Sequence, residues 1–215
     1  MSGTSGLGGL SGALASLDGG GAVLSNLLVS DSFTDTDAVT LPNHTPTYRH
    51  DSVTASWVDN DVGITIESNK ASDNDVTGAS TIDVGNADVT LAVTMIIQGG
   101  GNGFNGLAFR LQDATHFWIA GCDVVNDKVT IWENNGGVWA ERGGNANGSF
   151  NFTAGETRTI SITVNGTSIS VSIDGVVRAT ATSAVFQTET KYGLYNDAAA
   201  GGADATWDEF SIRTI

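Results

Sequence analysis

The chain has 215 residues, of which 40% are hydrophobic and 15% charged, and its 28 glycines favour short strands joined by tight turns over long amphipathic helices. The formal net charge of −15 disfavours nucleic acid and anionic membrane surfaces as partners, because both are negatively charged. The single cysteine, Cys122, excludes an internal disulfide, and no apolar run reaches the ~20 residues of a membrane-spanning helix.

A Gly- and Leu-rich arm, residues 1–27, precedes the part of the chain that carries a strand pattern. Its leucines recur at intervals of three and four residues, which is the spacing of a helical stripe. The predicted assembly positions are Leu7, Leu10, Leu14, Leu17, Leu24 and Leu28. Intervening glycines oppose a stable isolated helix, because each costs about 1 kcal/mol in a helix interior. We therefore predict an anchoring and oligomerisation arm that becomes ordered when a partner buries its leucines, with a trimer as the first expectation.

A hydrophobic period of two runs through residues 28–215, and it predicts strands with one buried and one solvent-facing side. Leu111 is predicted to share the buried face of Leu107 and Phe109, with Arg110 on the opposite face. The residues predicted to be buried are Phe33, Leu91, Val93, Leu107, Phe109, Ile160, Ile162, Ile169, Val171, Ile173, Leu194, Phe210 and Ile212.

Turn signals separate the strands. Asn165-Gly166 and Asp174-Gly175 border alternating runs, and both pairs tolerate the positive φ angles of two-residue hairpins, which predicts a three-stranded meander over residues 158–182. Asn135-Gly136-Gly137 predicts a further hairpin. About twelve to fourteen strands are expected in all.

Four segments carry a recognisable pattern. They are the opening DSFTDTDAVTLPNHTP followed by Trp57, the central GLAFRLQDATHFWIA, the later VNGTSISVSIDG and the closing WDEFSI. With them, residues 31–215 resemble the concanavalin A-like (laminin-G-like) jelly-roll superfamily, particularly its bacterial and phage members. The resemblance implies an all-β, two-sheet antiparallel jelly-roll sandwich over residues 28–215, with its first and last strands side by side. The superfamily includes lectins, glycosidases, adhesins and virion proteins, so the fold alone does not define the function.

Glycoside hydrolysis requires two carboxylates at a fixed separation. The resemblance implies a Glu-x-Asp-x-Glu strand for the glucanase branch, and none of the six glutamates lies in that pattern. The histidines His44, His50 and His116 have no zinc-site spacing. We therefore predict that the protein is not an enzyme, and glycoside hydrolysis by an atypical carboxylate pair is the less favoured alternative.

Calcium is the more plausible ligand among metals, because oxygen donors are abundant in the Asp- and Asn-rich segments. Asp31 and Asp208 are the first candidate pair, since the resemblance implies that the first and last strands are adjacent. Asp and Asn are also ordinary turn residues, so a purely structural role for these segments stays open.

Trp132 and Trp139 lie on the two strands of the predicted Asn135 hairpin and are the candidate carbohydrate-binding residues. Sugars stack on exposed aromatic faces, and a cross-strand pair of the two rings would offer such a surface. The favoured interpretation is nevertheless packing, in which both rings fill a face covered by the other sheet.

Three functional hypotheses follow. The preferred one is a non-enzymatic virion component (a capsid decoration, fibre or tail-associated protein) that displays a lectin-like jelly roll on the virion surface and assembles through its arm. The alternative is a carbohydrate-binding or adhesive module that binds cell-surface glycans; it would be secreted without a signal peptide, since no basic residue precedes Arg49. The third is a glycan-cleaving enzyme.

Overall fold

The computed structural model describes residues 26–60, 63–72, 77–97, 103–197 and 206–215. Within these ranges the chain forms sixteen strands and one short 3-10 helix, Leu41–Asn43. In chain order the strands are β1 (Leu27–Asp31), β2 (Tyr48–Arg49), β3 (Val58–Asn60), β4 (Thr65–Ile66), β5 (Ala71–Ser72), β6 (Gly78–Asp83), β7 (Val89–Ile96), β8 (Phe104–Asp113), β9 (His116–Asp123), β10 (Lys128–Asn135), β11 (Val138–Gly144), β12 (Thr157–Asn165), β13 (Ser168–Ile173), β14 (Val176–Thr182), β15 (Lys191–Asp197) and β16 (Thr206–Thr214). In the described part of the chain, no helix has the length and apolar composition needed to cross a membrane.

The strands form two antiparallel sheets. The nine-stranded sheet has the order β14-β13-β12-β7-β16-β1-β2, with β5 beside β16 and β4 beside β5. The seven-stranded sheet has the order β11-β10-β9-β8-β15-β6-β3. Their facing sides enclose one hydrophobic core. This two-sheet antiparallel jelly-roll sandwich of the concanavalin A-like type confirms the predicted fold class.

The alternation of apolar residues predicted the core correctly. Every residue predicted to be buried is at most 1% exposed. The meander is formed by β12, β13 and β14, and the Asn135 hairpin joins β10 to β11. The strand count exceeds the expectation because β2, β3, β4 and β5 have only two or three residues each, which is too short to show an alternating pattern.

Leu28 does not belong to the leucine stripe of the arm, contrary to the prediction. It lies in β1, is 7% exposed and packs in the core between the sheets. The helical spacing from Leu24 to Leu28 is therefore coincidental, because a strand begins between them. The other predicted assembly positions, Leu7, Leu10, Leu14, Leu17 and Leu24, lie outside the described residues.

A bulge in β8 overturns the predicted orientations of Arg110 and Leu111. Arg110 has a φ of +50°, and the pairing of β8 with β9 shifts register between Phe109 and Asp113. Such a bulge adds one residue and reverses the alternation beyond it. Arg110 is consequently buried, where its Nη2 donates to the Gly166 carbonyl at 2.6 Å, and Leu111 leaves the core for the opposite face of the sheet.

Candidate binding groove

The seven-stranded sheet carries apolar side chains on both faces. In β9, Trp118 and Ala120 belong to the core between the sheets, whereas Phe117 and Ile119 belong to a second cluster. Because successive side chains of a strand point to opposite faces, this second cluster lies on the face directed away from the nine-stranded sheet, which we call the outer face. Its members are Ala79, Phe104, Ala108, Leu111, Phe117, Ile119 and Tyr195, with Trp132 packed against them.

Two paired glycines shape the middle of the outer face. Gly106 of β8 is the register partner of Gly121 of β9. A Cβ atom on Gly121 would lie 2.2 Å from the carbonyl oxygen of Asn105, and one on Gly106 would lie 2.3 Å from that of Ala120. Only glycine permits the two strands to approach this closely. The pair also leaves the outer face without a side chain at its centre.

A pocket of about 380 Å³ opens on the outer face. Its volume lies within the range of small-molecule sites, and six of its nine lining residues are apolar or aromatic. The lining residues are Phe104, Ile119, Asp123, Val125, Asn126, Trp132, Trp139, Tyr195 and Asp197.

A smaller pocket of about 170 Å³ adjoins the first, and Trp139 and Tyr195 line both. The Trp139 ring meets the Phe117 ring edge-on, with centroids 5.5 Å apart, and lies 6.3 Å from the Tyr195 ring. These three rings form a ridge between the pockets, and we call the two pockets with their ridge the aromatic groove. The other residues of the smaller pocket are Asn60, Thr77, Gly78, Ala79, Leu111, Ala114, Phe117 and Asn134.

The structure brings Trp132 and Trp139 to one wall of the aromatic groove, on a face that the other sheet does not cover. The packing interpretation favoured from the sequence is therefore wrong. The rings are also not direct cross-strand partners, because Trp132 is opposite Glu141 and Trp139 is opposite Asn134. They are diagonal neighbours on one face. Trp139 is 42% exposed and Trp132 is half-buried, so both present ring surface to the larger pocket.

Polar side chains lie at one end of the larger pocket. Both carboxylate oxygens of Asp123 accept hydrogen bonds from Asn126, one from its backbone N–H at 3.0 Å and the other from its side-chain amide at 2.8 Å. Asp197 accepts a hydrogen bond from the Thr77 hydroxyl at 3.1 Å. Burial and the nearby Asp197 carboxylate raise the pKa of Tyr195, so its hydroxyl stays protonated and keeps a hydrogen to donate. Aromatic surface and hydrogen-bonding groups thus occur together in the groove.

The glutamates closest to the groove are held in ion pairs. Glu141 binds Lys128, with Nζ 2.8 Å from Oε2, and Glu133 binds Arg142, with Nε 3.0 Å from Oε2. Glu133 is 3% exposed and follows Val129 and Ile131 in parity, so it does not face the groove. Among the described residues, no strand of the seven-stranded sheet presents two alternating carboxylates on its outer face, which is the arrangement that a glucanase-type strand would require.

Asp31 and Asp208 are on adjacent strands, since β1 pairs with β16, but their carboxylates are bound to different partners. Asp31 accepts hydrogen bonds from His44 Nε2 and Trp57 Nε1, both at 2.9 Å, and from the backbone N–H of Phe33. Asp208 forms an ion pair with Lys70. In the described ranges no three His, Cys, Asp or Glu side chains are grouped as metal ligands would be. Structural calcium stays a prediction, and the structure offers it no ligand set at this pair.

The sequence pattern did not indicate that five further residues line the groove: Phe104, Phe117, Tyr195, Asp123 and Asp197. The available signal was the uninterrupted apolar run of β9, in which Phe117 and Ile119 occupy positions that a strand with one wet face would fill with polar residues. Asp123 and Asp197 gave no such signal, because each ends a strand, where aspartate is an ordinary turn residue.

Comparisons with solved structures give the same fold at low identity. The GH43 BlXynB protein from Bacillus licheniformis matches with a TM-score of 0.58 and 12% identity, over 86% of this chain and 39% of that one. Domain 4 of AbnA, a GH43 extracellular arabinanase from Geobacillus stearothermophilus in complex with arabinotriose, matches with a TM-score of 0.54 and 14% identity, over 88% and 92%. A Bacillus licheniformis beta-glucanase matches with a TM-score of 0.52 and 15% identity, over 85% and 99%. No protein-family model and no curated protein matches the chain.

Proposed function

We propose that this protein binds carbohydrate without cleaving it, and that the ligand lies in the aromatic groove. The observation that carries the proposal is Trp139, which is 42% exposed on a ridge shared by two pockets. Contiguous exposed apolar surface in a groove often marks a site of contact with a ligand or partner. A groove with this ring at its centre and polar side chains at its end fits a ligand that is apolar on its faces and polar at its rim.

Sugar rings have this character. Their C–H faces pack against the flat surface of an aromatic ring, and their hydroxyls exchange hydrogen bonds with carboxylates and amides. Trp132 and Trp139 would supply the packing surface. Asp123, Asn126 and Asp197 would accept or donate hydrogen bonds around it. Two adjoining pockets with a shared ridge favour a ligand of several sugar units over a single one.

Binding without hydrolysis is proposed because the groove lacks a suitable acid and base in the described residues. Asp123 already accepts two hydrogen bonds from Asn126, and Asp197 accepts one from Thr77. Glu133 and Glu141 are held by Arg142 and Lys128. A general acid needs access to the glycosidic oxygen and a proton to donate. Each of these carboxylates is instead engaged by a hydrogen-bond donor or a cation.

The preferred hypothesis from the sequence, a virion component, receives no support from the comparisons. One compared structure is named in complex with arabinotriose, which is consistent with a sugar ligand for this fold. The carbohydrate-binding alternative is therefore the better-supported function. A virion surface, or secretion without a signal peptide, stays a prediction for where the protein acts.

Affinity gel electrophoresis tests the proposal. The protein is run through native gels that contain linear arabinan, mixed-linkage β-glucan or xylan, and retardation in at least one of them is expected. The double variant Trp132→Ala/Trp139→Ala should bind the retarding polymer at least about tenfold more weakly, which corresponds to about 1.4 kcal/mol. Incubation with the same polymers should release no new reducing ends.

The matched control is Val176→Ala/Val177→Ala, which removes two exposed apolar side chains, 51% and 59% exposed, from the edge of the other sheet. This control should be retarded like the wild type. Circular dichroism spectra must show that both double variants are folded. The proposal fails if no polymer retards the wild type, or if the tryptophan variant binds as tightly as the control.

A further inference from the structure

We infer that the aromatic groove selects uncharged glycans and excludes acidic ones such as uronic-acid polymers. That the ligand is a glycan rests on the proposed function. That the groove rejects a charged glycan follows from the charges of its lining residues. Among the described residues, two carboxylates and no cation line the larger pocket, so an anionic ligand would meet repulsion without a compensating ion pair.

The two carboxylates are arranged across neighbouring strands. Phe104 of β8 is the register partner of Asp123 on β9 and of Asp197 on β15. Adjacent strands are about 4.8 Å apart, so the two aspartates lie roughly 10 Å apart on the outer face, with the Phe104 ring between them. Both line the larger pocket and both are partly accessible. A ligand that enters this end of the groove therefore passes between two carboxylates.

No basic side chain offsets them. The sequence has nine Lys and Arg residues, all in the described ranges, and none lines either pocket. Lys128 comes nearest, as the register partner of Asp123, but both carboxylate oxygens of Glu141 accept hydrogen bonds from its Nζ, at 3.0 and 2.8 Å. Arg142, on the neighbouring edge strand, is bound to Glu133. Each of these cations is thus paired with a glutamate.

Charge at this position acts on the ligand strongly. Like charges a few ångströms apart repel, and the repulsion grows where apolar walls replace water. A uronic acid stacked on Trp132 or Trp139 would place its own carboxylate beside Asp123 or Asp197 with no cation for it to pair with. A neutral sugar would place hydroxyls there, which donate hydrogen bonds to the same carboxylates. The same two side chains therefore favour one ligand class and oppose the other.

Tryptophan fluorescence quenching tests the charge of the groove without any ligand. Trp57, Trp118 and Trp207 are at most 2% exposed, so Trp139 and Trp132 give the quencher-accessible emission. At low salt, anionic iodide should quench them less efficiently than neutral acrylamide does. The double variant Asp123→Asn/Asp197→Asn should raise the Stern–Volmer quenching constant for iodide about two- to threefold. It should leave the quenching constant for acrylamide unchanged.

The charge-matched control is Asp51→Asn/Glu67→Gln, which removes two carboxylates from turns that belong to the nine-stranded sheet. This control should leave the iodide constant at the wild-type value. An iodide constant that does not rise in the Asp123 and Asp197 variant, or that rises equally in the control, overturns the inference whether or not the protein binds sugar.

A second arm uses two polymers with the same backbone, hydroxyethyl cellulose and carboxymethyl cellulose, in affinity gels at low and high salt. We expect retardation by the neutral polymer alone in the wild type, and a gain of retardation by the charged polymer in the Asp123→Asn/Asp197→Asn variant. Stronger wild-type retardation by carboxymethyl cellulose would overturn the inference. If neither polymer retards any variant while the quenching result holds, the groove excludes anions as inferred and the proposed function is what fails.

Discussion

The two faces of the seven-stranded sheet are built from the same strands but differ in what covers them. On the inner face, Phe109 and Trp118 stack with centroids 6.1 Å apart beneath the nine-stranded sheet, and both are fully buried. On the outer face, the Phe117 ring contacts the rings of Tyr195 and Trp139, and Trp139 is 42% exposed. Both faces are rich in aromatic residues, yet within the described part of the chain one is closed by a second layer and the other is not. The inner face accounts for stability, and the surplus apolar surface of the outer face requires a different explanation, for which we propose ligand binding.

Removing a ring from the inner face should have the largest effect on stability. Phe109→Ala deletes a fully buried side chain and leaves a cavity between the sheets, for which we expect a loss of roughly 3–5 kcal/mol in the free energy of unfolding. Urea denaturation measures it. Trp139→Ala, the matched change on the outer face, should cost less than about 1 kcal/mol because that ring is already in contact with water. Equal losses of stability in the two variants would contradict the view that only the inner face contributes to the core.

Gly121→Ala should lower both the stability of the sandwich and the affinity of the groove for its ligand. The new Cβ would lie 2.2 Å from the Asn105 carbonyl oxygen, which is backbone and cannot turn aside. Separation of β8 and β9 should therefore cost about 1–3 kcal/mol and deform the groove, so that thermal unfolding temperature and glycan affinity fall together. Gly63→Ala is the control, since no atom of the described residues beyond its chain neighbours lies within 4 Å of a Cβ placed there. A stable, binding-competent Gly121→Ala protein would show that the close approach of the strands is not needed.

The sequence predicts the core between the two sheets far better than the outer face of the seven-stranded sheet. Residues such as Ile169, Val171 and Ile173 alternate strictly, because one side of their strand is wet and the other is buried, and the core follows from that alternation. The outer face depends on a feature that alternation does not reveal. β9 is apolar on both sides, and only the pairing of strands shows that Phe117 and Ile119 belong to the outer face, together with Tyr195 of a distant strand. The bulge at Arg110 was equally hidden, because no residue type marks it.

A pH change should affect the sandwich and leave the groove unchanged. His44 lies between Asp31 and Asp35, at 2.9 and 3.0 Å. Burial opposes its protonation, but hydrogen bonds to Asp35 and Asp31 outweigh burial and raise the pKa of His44 above 6.5. The interaction of protonated His44 with Asp31 and Asp35 therefore stabilises the fold fully below pH ~6.5. This contribution is lost as the pH rises through the raised pKa of His44. The hydrogen bond from His44 lowers the pKa of Asp35, so its contribution is lost only in acid, below about pH 4.

We accordingly expect the melting temperature to fall by a few degrees as the pH rises from 6 past the pKa of His44, with no change in glycan affinity over the same interval. Scanning calorimetry and affinity gels at matched pH values measure the two quantities. His44→Asn should lower the melting temperature at pH 6 and remove the pH dependence. None of the chain's three histidines lines the groove. A glycan affinity of the wild type that changed over the same pH interval would therefore contradict the expectation that His44 acts on stability alone.

Deletion of residues 1–21 should have the smallest effect on either face. The described core begins with Leu27 and Leu28 in β1, so melting temperature and glycan affinity should both stay at their full-length values. Under the arm hypothesis, the same deletion should reduce the oligomer measured by analytical ultracentrifugation to a monomer. A truncated protein that still oligomerises would contradict the arm hypothesis. It would leave the assignment of the outer face as the binding surface unchanged.

The position of the ligand tests the central claim most directly, and the five tryptophan indole N–H resonances report it in one nuclear magnetic resonance titration. The titrant is the oligosaccharide of whichever polymer retards the protein most strongly. Trp132 and Trp139 face the groove, and Trp57, Trp118 and Trp207 are buried in the core between the sheets. We predict that the indole signals of Trp132 and Trp139 shift with a common saturation curve while the other three stay in place. Saturable binding that leaves the Trp132 and Trp139 signals unmoved would contradict the assignment of the outer face as the binding surface.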